Sequence, residues 1–427
     1  MSLVLLFLAG PVLPGSAAAD SSIDRESERV APAIIEIRHQ IHQHPELSNR
    51  EYETSKLVAE HLRTLGLKVT TEIAHTGVVA VLKGGRPGPV VAVRADMDAL
   101  PVTEETSLPF RSTVRTTYLG KEVGVMHACG HDVHIAVQLG VADVLAAMRD
   151  RIPGTVKFIF QPAEEGVPRG EDGGAEMMVR QKALENPRPG AIFGLHTYAE
   201  MKAGTIGYTV GPAFAAVDHF YITINGKQAH GASPHFSIDP IVMGSQVVTA
   251  LQTIRSRNLP PLAPSVLTVG IFDGGQRFNI IPEQVTMEGT VRTYDGKVRD
   301  TVERRMGEIL DGITKAGGCS FQLQYDRVTP ATINNPALVR MMLPTLKRVV
   351  GDANVMEIEP TMGGEDFAYF SNEIPGFYFR LGQVREGTTS GGHHTPTFRA
   401  DDSAIPVGIR AMASVVMDYL EAGGLKQ

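Results

Sequence analysis

The sequence predicts an α/β protein with a mostly parallel sheet and a smaller α+β unit of ferredoxin-like order inserted into it. Short apolar runs rich in β-branched residues alternate with helical patterns as far as His196, which is how the buried strands of a parallel sheet read. From Asp218 onward the order changes to β-α-β-β-α-β, the signature of a ferredoxin-like unit. A chain of 427 residues is also too long for one core, so about two domains are expected. The expected division is 20–212 with 327–427 for the larger, discontinuous domain and 213–326 for the insert.

The chain opens on a short apolar core, Leu3–Leu8, followed by Gly15-Ser16-Ala17-Ala18-Ala19. That combination resembles a secretory signal, residues 1–19, cleaved before Asp20. It predicts export to a periplasm or beyond. No Lys or Arg precedes the apolar core, so a truncated or atypical signal and an unstructured tail are the alternatives.

Helices are expected over Ile34–His42 and Tyr52–Leu65, broken by His44-Pro45-Glu46-Leu47-Ser48 and stopped at Gly66. Three apolar runs then lead into polar clusters. Val90–Val93 enters Arg94-Ala95-Asp96-Met97-Asp98, Val156–Phe160 enters Gln161-Pro162-Ala163-Glu164-Glu165-Gly166, and Ala191–Leu195 enters His196. Between them, Met126-His127-Ala128-Cys129-Gly130-His131-Asp132 precedes a helical pattern. In the insert, strands at Asp218–Asn225, Ser265–Phe272, Gln284–Tyr294 and Cys319–Tyr325 surround helices at Asp239–Arg257 and Val298–Ala316. Helix, strand and a final helix, Val407–Glu421, complete the chain from Asn334.

Composition excludes several classes of function. With 43% hydrophobic and 20% charged residues, extensive disorder is not expected. The net charge of −7 comes with no basic patch, which argues against nucleic acid as a partner. Beyond the N-terminus no apolar stretch approaches the roughly 20 residues of a membrane span.

Parallel sheets bind ligands beyond the carboxyl ends of their strands, and the residues expected there are metal-competent. Cys129 and His131, one residue apart in a Gly-containing loop, suit zinc, and also nickel, cobalt or manganese in mixed sites. Alone, a buried structural Cys beside a capping His would explain them, but Glu164, Glu165 and His196 at neighbouring strand ends favour a metal site. The only other cysteine is Cys319; a Cys129–Cys319 disulfide is the alternative in an exported protein. Adjacent acids such as Glu164 and Glu165 usually mark a solvated turn. At the end of an apolar strand they would repel unless a cation lay nearby, so one could bind metal while the other takes a proton from water.

His196 could also be a core histidine. Of His393 and His394, in the sequence His393-His394-Thr395-Pro396, one could supply the last ligand. Asp98 and His134 read as groups that orient a ligand imidazole, and Asp366 as a similar group or a loop cap. In the insert, His230 could donate to an oxyanion, and Arg292 has the fork suited to a substrate carboxylate. Asn279, before Ile280-Ile281-Pro282, joins this second cluster.

These motifs resemble the M20 metallopeptidase family, specifically its amidohydrolase branch of hippurate hydrolases, N-acyl-amino-acid amidohydrolases and auxin-conjugate hydrolases. The resemblance runs from about residue 30 to 420. It is carried by RADMDALP at 94–101, MHACGHD at 126–132, QPAEEG at 161–166, GLH at 194–196, GGEDF at 363–367 and HHTP at 393–396. It implies that Cys129, His131, Glu165, His196 and His394 hold two divalent metal ions, zinc foremost, with Glu164 as general base and Asp98 assisting. It implies that the insert is a lid and dimerisation domain in which His230 steadies the oxyanion. Asn279 and Arg292 would bind the substrate carboxylate, and the assembly would be a homodimer or larger.

The chain departs from the wider family at Asp96, which stands where a ligand His is usual. The implied reaction is hydrolysis of the amide of an N-acyl amino acid. A carboxypeptidase or dipeptidase on short peptides is the alternative, and a periplasmic binding protein without turnover the remote one.

Overall fold

The computed structural model describes residues 14–168 and 170–426, with side chains from residue 21 onward. The apolar core Leu3–Leu8 of the expected signal lies outside the described residues. The chain divides into two compact units. One comprises the chain through Tyr208, Asn335–Ile358 and the segment from Glu373 onward; the other comprises Thr209–Asn334 and Glu359–Asn372.

The first unit is built on an eight-stranded sheet. Its order is Lys68–Ile73, Gly77–Lys83, Pro153–Gln161, Arg86–Asp96, Ile192–Lys202, Gly376–Val384, Ile206–Tyr208 and Val355–Glu357. The four central strands, Pro153–Gln161 through Gly376–Val384, are mutually parallel. They are the near-continuous apolar runs seen in the sequence, as expected for strands buried on both faces. The antiparallel strands lie toward the margins, where Lys68–Ile73 alternates between exposed and half-buried residues. A short hairpin, Arg115–Tyr118 with Lys121–Gly124, has no counterpart in the sequence reading. Its residues are mostly exposed and so lack the apolar pattern that betrays a strand.

The helix His131–Ala147 is buried along nearly its whole length. Helices Pro14–Gln43 and Ala404–Glu421 pack against it. The first is far longer than the expected Ile34–His42, because Ile23, Val30, Ile34 and Ile41 form one buried stripe along it. Each such side chain contributes about 1.5–3 kcal/mol on full burial.

The second unit has the predicted β-α-β-β-α-β order. Its antiparallel sheet runs Ser265–Gly274, Gln284–Thr293, Ala216–Asn225 and Ser320–Thr329, and its helices are Pro240–Thr253 and Gly296–Ala316. Asp239 and Asp295 cap these helices by accepting from the amides two and three residues on, which satisfies otherwise orphaned donors. Phe220, Ile222, Val247, Met287, Met306 and Leu310 form its own core.

Candidate metal centre

The carboxyl end of the central parallel strands gathers the sequence-predicted residues of the first unit. Strand Arg86–Asp96 pairs with Pro153–Gln161 as far as Asp96, but with Ile192–Lys202 only as far as Gly194. The sequence placed His196 at a strand end, yet its strand continues to Lys202 because Gly376–Val384 pairs along its other side. His196 therefore projects where one neighbour has stopped and the other has not.

Among the groups of possible ligand atoms within 4.8 Å of one another in the described residues are Cys129, His131 and His196; Cys129, Glu165 and His394; His131, Glu164 and Glu165; and Asp96, His131 and His134. Cys129 and His131 lie on either side of Gly130, whose φ of +93° is left-handed. A β-carbon at Gly130 would come within 2.3 Å of Thr197 Oγ1, so the turn that presents both ligands requires glycine. Cys129 and Cys319 are both free thiols, and the alternative of a disulfide between them is not realised.

Hydrogen bonds sort the histidines into two kinds. His131 Nδ1 donates to the main-chain oxygen of Asp98 at 2.8 Å, and His196 Nδ1 to that of Thr197 at 2.6 Å. In the neutral tautomer each then presents its Nε2 lone pair. His196 Nε2 faces Cys129 Sγ at 3.4 Å. His131 Nε2 is buried, has no hydrogen-bond partner among the described residues, and lies 3.8 Å from Glu165 and 3.9 Å from Glu164.

His134 and His393 differ. His134 Nδ1 bonds to Asp96 Oδ1 at 2.6 Å while its Nε2 accepts from the Thr197 amide at 2.8 Å. His393 Nε2 accepts from the Ala199 amide at 3.1 Å, leaving Nδ1–H pointed at Cys129 Sγ at 3.6 Å. Neither keeps a lone pair for a metal. His394 Nε2 lies 3.1 Å from Glu165 Oε1. Asp96 is held by Arg94 at 2.7 Å as well as by His134.

The two acids are fixed through their backbone. Asp98 accepts from the amide of Glu164 on one carboxylate oxygen and from that of Glu165 on the other, each at 3.0 Å, and from Ser48 Oγ at 2.8 Å. The preceding amide, Ala163, donates to Glu51 Oε1 at 2.9 Å. Two buried carboxylates thus hold three consecutive amides, through a turn in which Ala163 has φ +54°. Glu51 escaped the sequence reading, where it is only an acid at a helix start; in the structure its side chain makes no capping bond.

Electrostatics match a cation-binding cluster. Burial disfavours a charged His131, yet Asp96, Asp98 and Glu165 raise its pKa to about 10. Burial, then Glu165 and Glu164, push the Cys129 thiol well up. Burial, with His134 and His393, keeps His196 neutral. His131 Nε2, a thiol and two carboxylates fit a divalent ion, which would take over from the proton that the carboxylates draw onto His131.

Within the second unit, His230 pairs with Ile280 in a two-residue ladder, and Gly231 donates to the Asn279 carbonyl at 2.8 Å. His230 and Asn279 are therefore neighbours. His230 is exposed and accepts from the Ala232 amide at 3.0 Å. Arg292 is half-buried in strand Gln284–Thr293, facing Gly364 of the Gly363–Phe367 loop. Burial lowers its pKa, opposed by Asp218. Asp366 sits at the turn that opens the helix Ala368–Glu373.

A largely parallel sheet presenting thiol, imidazole and carboxylate donors beside a second carboxylate defines a metal-dependent hydrolase. The chain belongs to peptidase family M20/M25/M40, whose pattern it matches over residues 92–418. It is 44% identical over 304 residues to an N-acyl-L-amino acid amidohydrolase of Geobacillus stearothermophilus, covering 71% of this chain and 78% of that one. It is 38% identical over 389 residues to thermostable carboxypeptidase 1 of Saccharolobus solfataricus, covering 90% and 95%. Among solved structures, the Bacillus subtilis YxeP protein, a dinuclear metal-binding peptidase of the M20 family, superposes with a TM-score of 0.77. That match has 34% identity and covers 92% and 99% of the two chains.

Proposed function

We propose that this chain hydrolyses the amide bond of N-acyl amino acids, releasing a free amino acid and a carboxylic acid. The observation that carries the reading is Glu164. Its carboxylate is nearly buried, lies 3.9 Å from the orphaned His131 Nε2 and rests on a backbone anchored by Asp98. Cys129, His131, Glu165, His196 and His394 would hold two divalent ions, with zinc favoured by the thiolate and imidazoles. Such ions would supply Lewis-acid polarisation of the carbonyl and acidify water. Glu164 would take the proton from water as its oxygen bonds to the carbonyl carbon, then deliver it to the nitrogen as the C–N bond breaks. On the family resemblance, His230 would donate to the oxyanion, and Asn279 and Arg292 would receive the substrate carboxylate.

Glu164→Gln, compared with wild type after chelation and reloading with zinc, manganese, cobalt or nickel, tests this. Loss of about 10²–10⁴-fold in turnover is expected, with metal dependence in the wild type. A fully active variant would remove Glu164 from the role. The similarity to a carboxypeptidase favours short peptides as the second reading, and hippurate-type substrates assayed beside dipeptides separate the two.

The same proposal extends to assembly and location. The edge strand Ser265–Gly274 exposes Ile271 and Phe272, which supports a homodimer; sedimentation measures it. Export rests on Leu3–Leu8 and the small residues that follow, and N-terminal sequencing of secreted material tests it.

A further inference from the structure

A chain of polar groups that are not ligands is buried beside the candidate metal centre. Arg38 and His42 stand four residues apart on the helix Pro14–Gln43, so they project from one face. Both reach the same oxygen of Asp132: Arg38 Nε donates at 2.7 Å, and His42 Nδ1 lies at 2.9 Å. The other ring nitrogen, His42 Nε2, lies 3.2 and 3.3 Å from the two oxygens of Glu104. The ring and both carboxyl groups are at most 1% exposed. An ionised carboxylate offers only acceptors, so His42 holds both acids only with a proton on each nitrogen. Burial opposes that charge, but Asp132 and then Glu104 outweigh it and raise the pKa of His42 above the ordinary 6.5.

The two acids lie on different segments, and each leads to ligands. Asp132 follows His131 directly, at the turn that also presents Cys129. Glu104 gathers its own loop, accepting from Thr106 Oγ1 and from the Ser112 amide, the latter at 2.6 Å. The next residue, Glu105, donates its amide to the Pro396 carbonyl at 2.9 Å, two residues beyond His394. The path from Asp132 through His42, Glu104 and Glu105 to Pro396 therefore joins one group of ligands to the loop that carries another.

We infer that His42 is a positioning residue for the metal centre: by donating from both nitrogens it fixes the turn bearing Cys129 and His131 against the loop bearing His394. The inference rests on the reading of those three residues as ligands. Without His42, the buried Glu104 loses its imidazolium partner, and it relieves the cost by taking a proton or turning toward solvent. Either change loosens the loop that Glu104 gathers, and with it the bond from Glu105 to Pro396. The ligands on the two segments then no longer meet at a set separation, which lowers metal affinity as loss of other groups behind a ligand does.

The test titrates cobalt(II) into the full chain after chelation, because cobalt absorption reports both thiolate ligation and coordination geometry. Wild type is compared with His42→Leu, His42→Gln, Glu104→Gln and Leu346→Ala. His42→Leu should weaken cobalt binding about 10–100-fold and alter the visible bands. His42→Gln and Glu104→Gln each keep part of the contact and should lose less, though still about threefold or more. Adding Glu104→Gln to His42→Leu should weaken binding no further, since both break one contact. Leu346→Ala opens a cavity in the same core, in the helix Pro336–Val350, and should change neither affinity nor spectrum. If His42→Leu does not fold, the two glutamine variants decide. Variants that bind cobalt as wild type does, or a matching loss in Leu346→Ala, overturn the inference and leave the ligand assignment intact. A wild type without thiolate absorption overturns the ligand assignment, and the inference falls with it.

Discussion

Glu51 is fully buried, and both its carboxylate oxygens are engaged, by the Ala163 amide and by Thr76 Oγ1 at 2.6 Å. Burial, then the nearby Asp98, raise its pKa from the ordinary 4.5 to about 8. Its folded-state pKa is the higher one, so the folded protein keeps a proton that the unfolded chain releases. The associated stability is present in full below about pH 4.5 and is lost as pH rises through about 8. Metal-free wild type should therefore lose up to a few kcal/mol between pH 5 and 8, and Glu51→Gln should flatten that slope. Urea titrations at three pH values read it, and parallel slopes would rule the assignment out. The sequence could not show this role, because the partner amide lies 112 residues away and Glu51 stands among ordinary helix-start polar residues. Cys129, His131, Glu164, Glu165 and His196 were readable for the opposite reason: each follows or interrupts an apolar run, where a polar group needs a purpose. Between His393 and His394 the resemblance implied His394; the residues alone left both open, because the Ala199 amide that occupies His393 Nε2 is brought up by a distant strand.

The element that matters most is the helix His131–Ala147, whose first turn carries His131. Asp132 ties that turn to the helix Pro14–Gln43, accepting from Arg38 Nε at 2.7 Å and meeting His42 Nδ1 at 2.9 Å. Arg38 in turn reaches Asp402 at 3.0 Å, just before the helix Ala404–Glu421. Burial opposes ionisation, but Arg38 and then His42 hold Asp132 well below the usual carboxylate range. Removing Asp132 leaves the buried Arg38 Nε unpaired, with only the partly exposed Asp402 to offset its charge, so Asp132→Ala should cost a few kcal/mol, up to about 3–5, in denaturant unfolding. A loss below 1 kcal/mol would show that the network does not anchor the helix. The helix itself was expected from the sequence, as were the parallel strands, because both depend on local periodicity. The full length of Pro14–Gln43 and the exposed hairpin Arg115–Gly124 were not. Their placement depends on distant packing and on a ladder with little apolar patterning.

At the scale of the whole molecule, each unit has its own hydrophobic core, and the ligand cluster lies in one of them. Metal loading should therefore stabilise that unit selectively. At a metal concentration one hundred times Kd the gain is about 2.7 kcal/mol, visible in calorimetry as an upward shift of one transition. The second unit should melt where it did before. The same binding should release protons, because ligands coordinate only when deprotonated. In the metal-free protein His131 carries a proton, its pKa being about 10, and Cys129 remains a thiol. Both must yield to the cation, while His196, kept neutral by burial, has none to give. Glu165 also raises the pKa of His394, so two protons or more should leave on loading at pH 7, and affinity should fall at least roughly a hundredfold for each unit of acidification. Titration calorimetry in buffers of different ionisation enthalpy counts them. Release of no protons would mean that Cys129 and His131 are not ligands, and the metal would then have to be held by the carboxylates, His196 and His394.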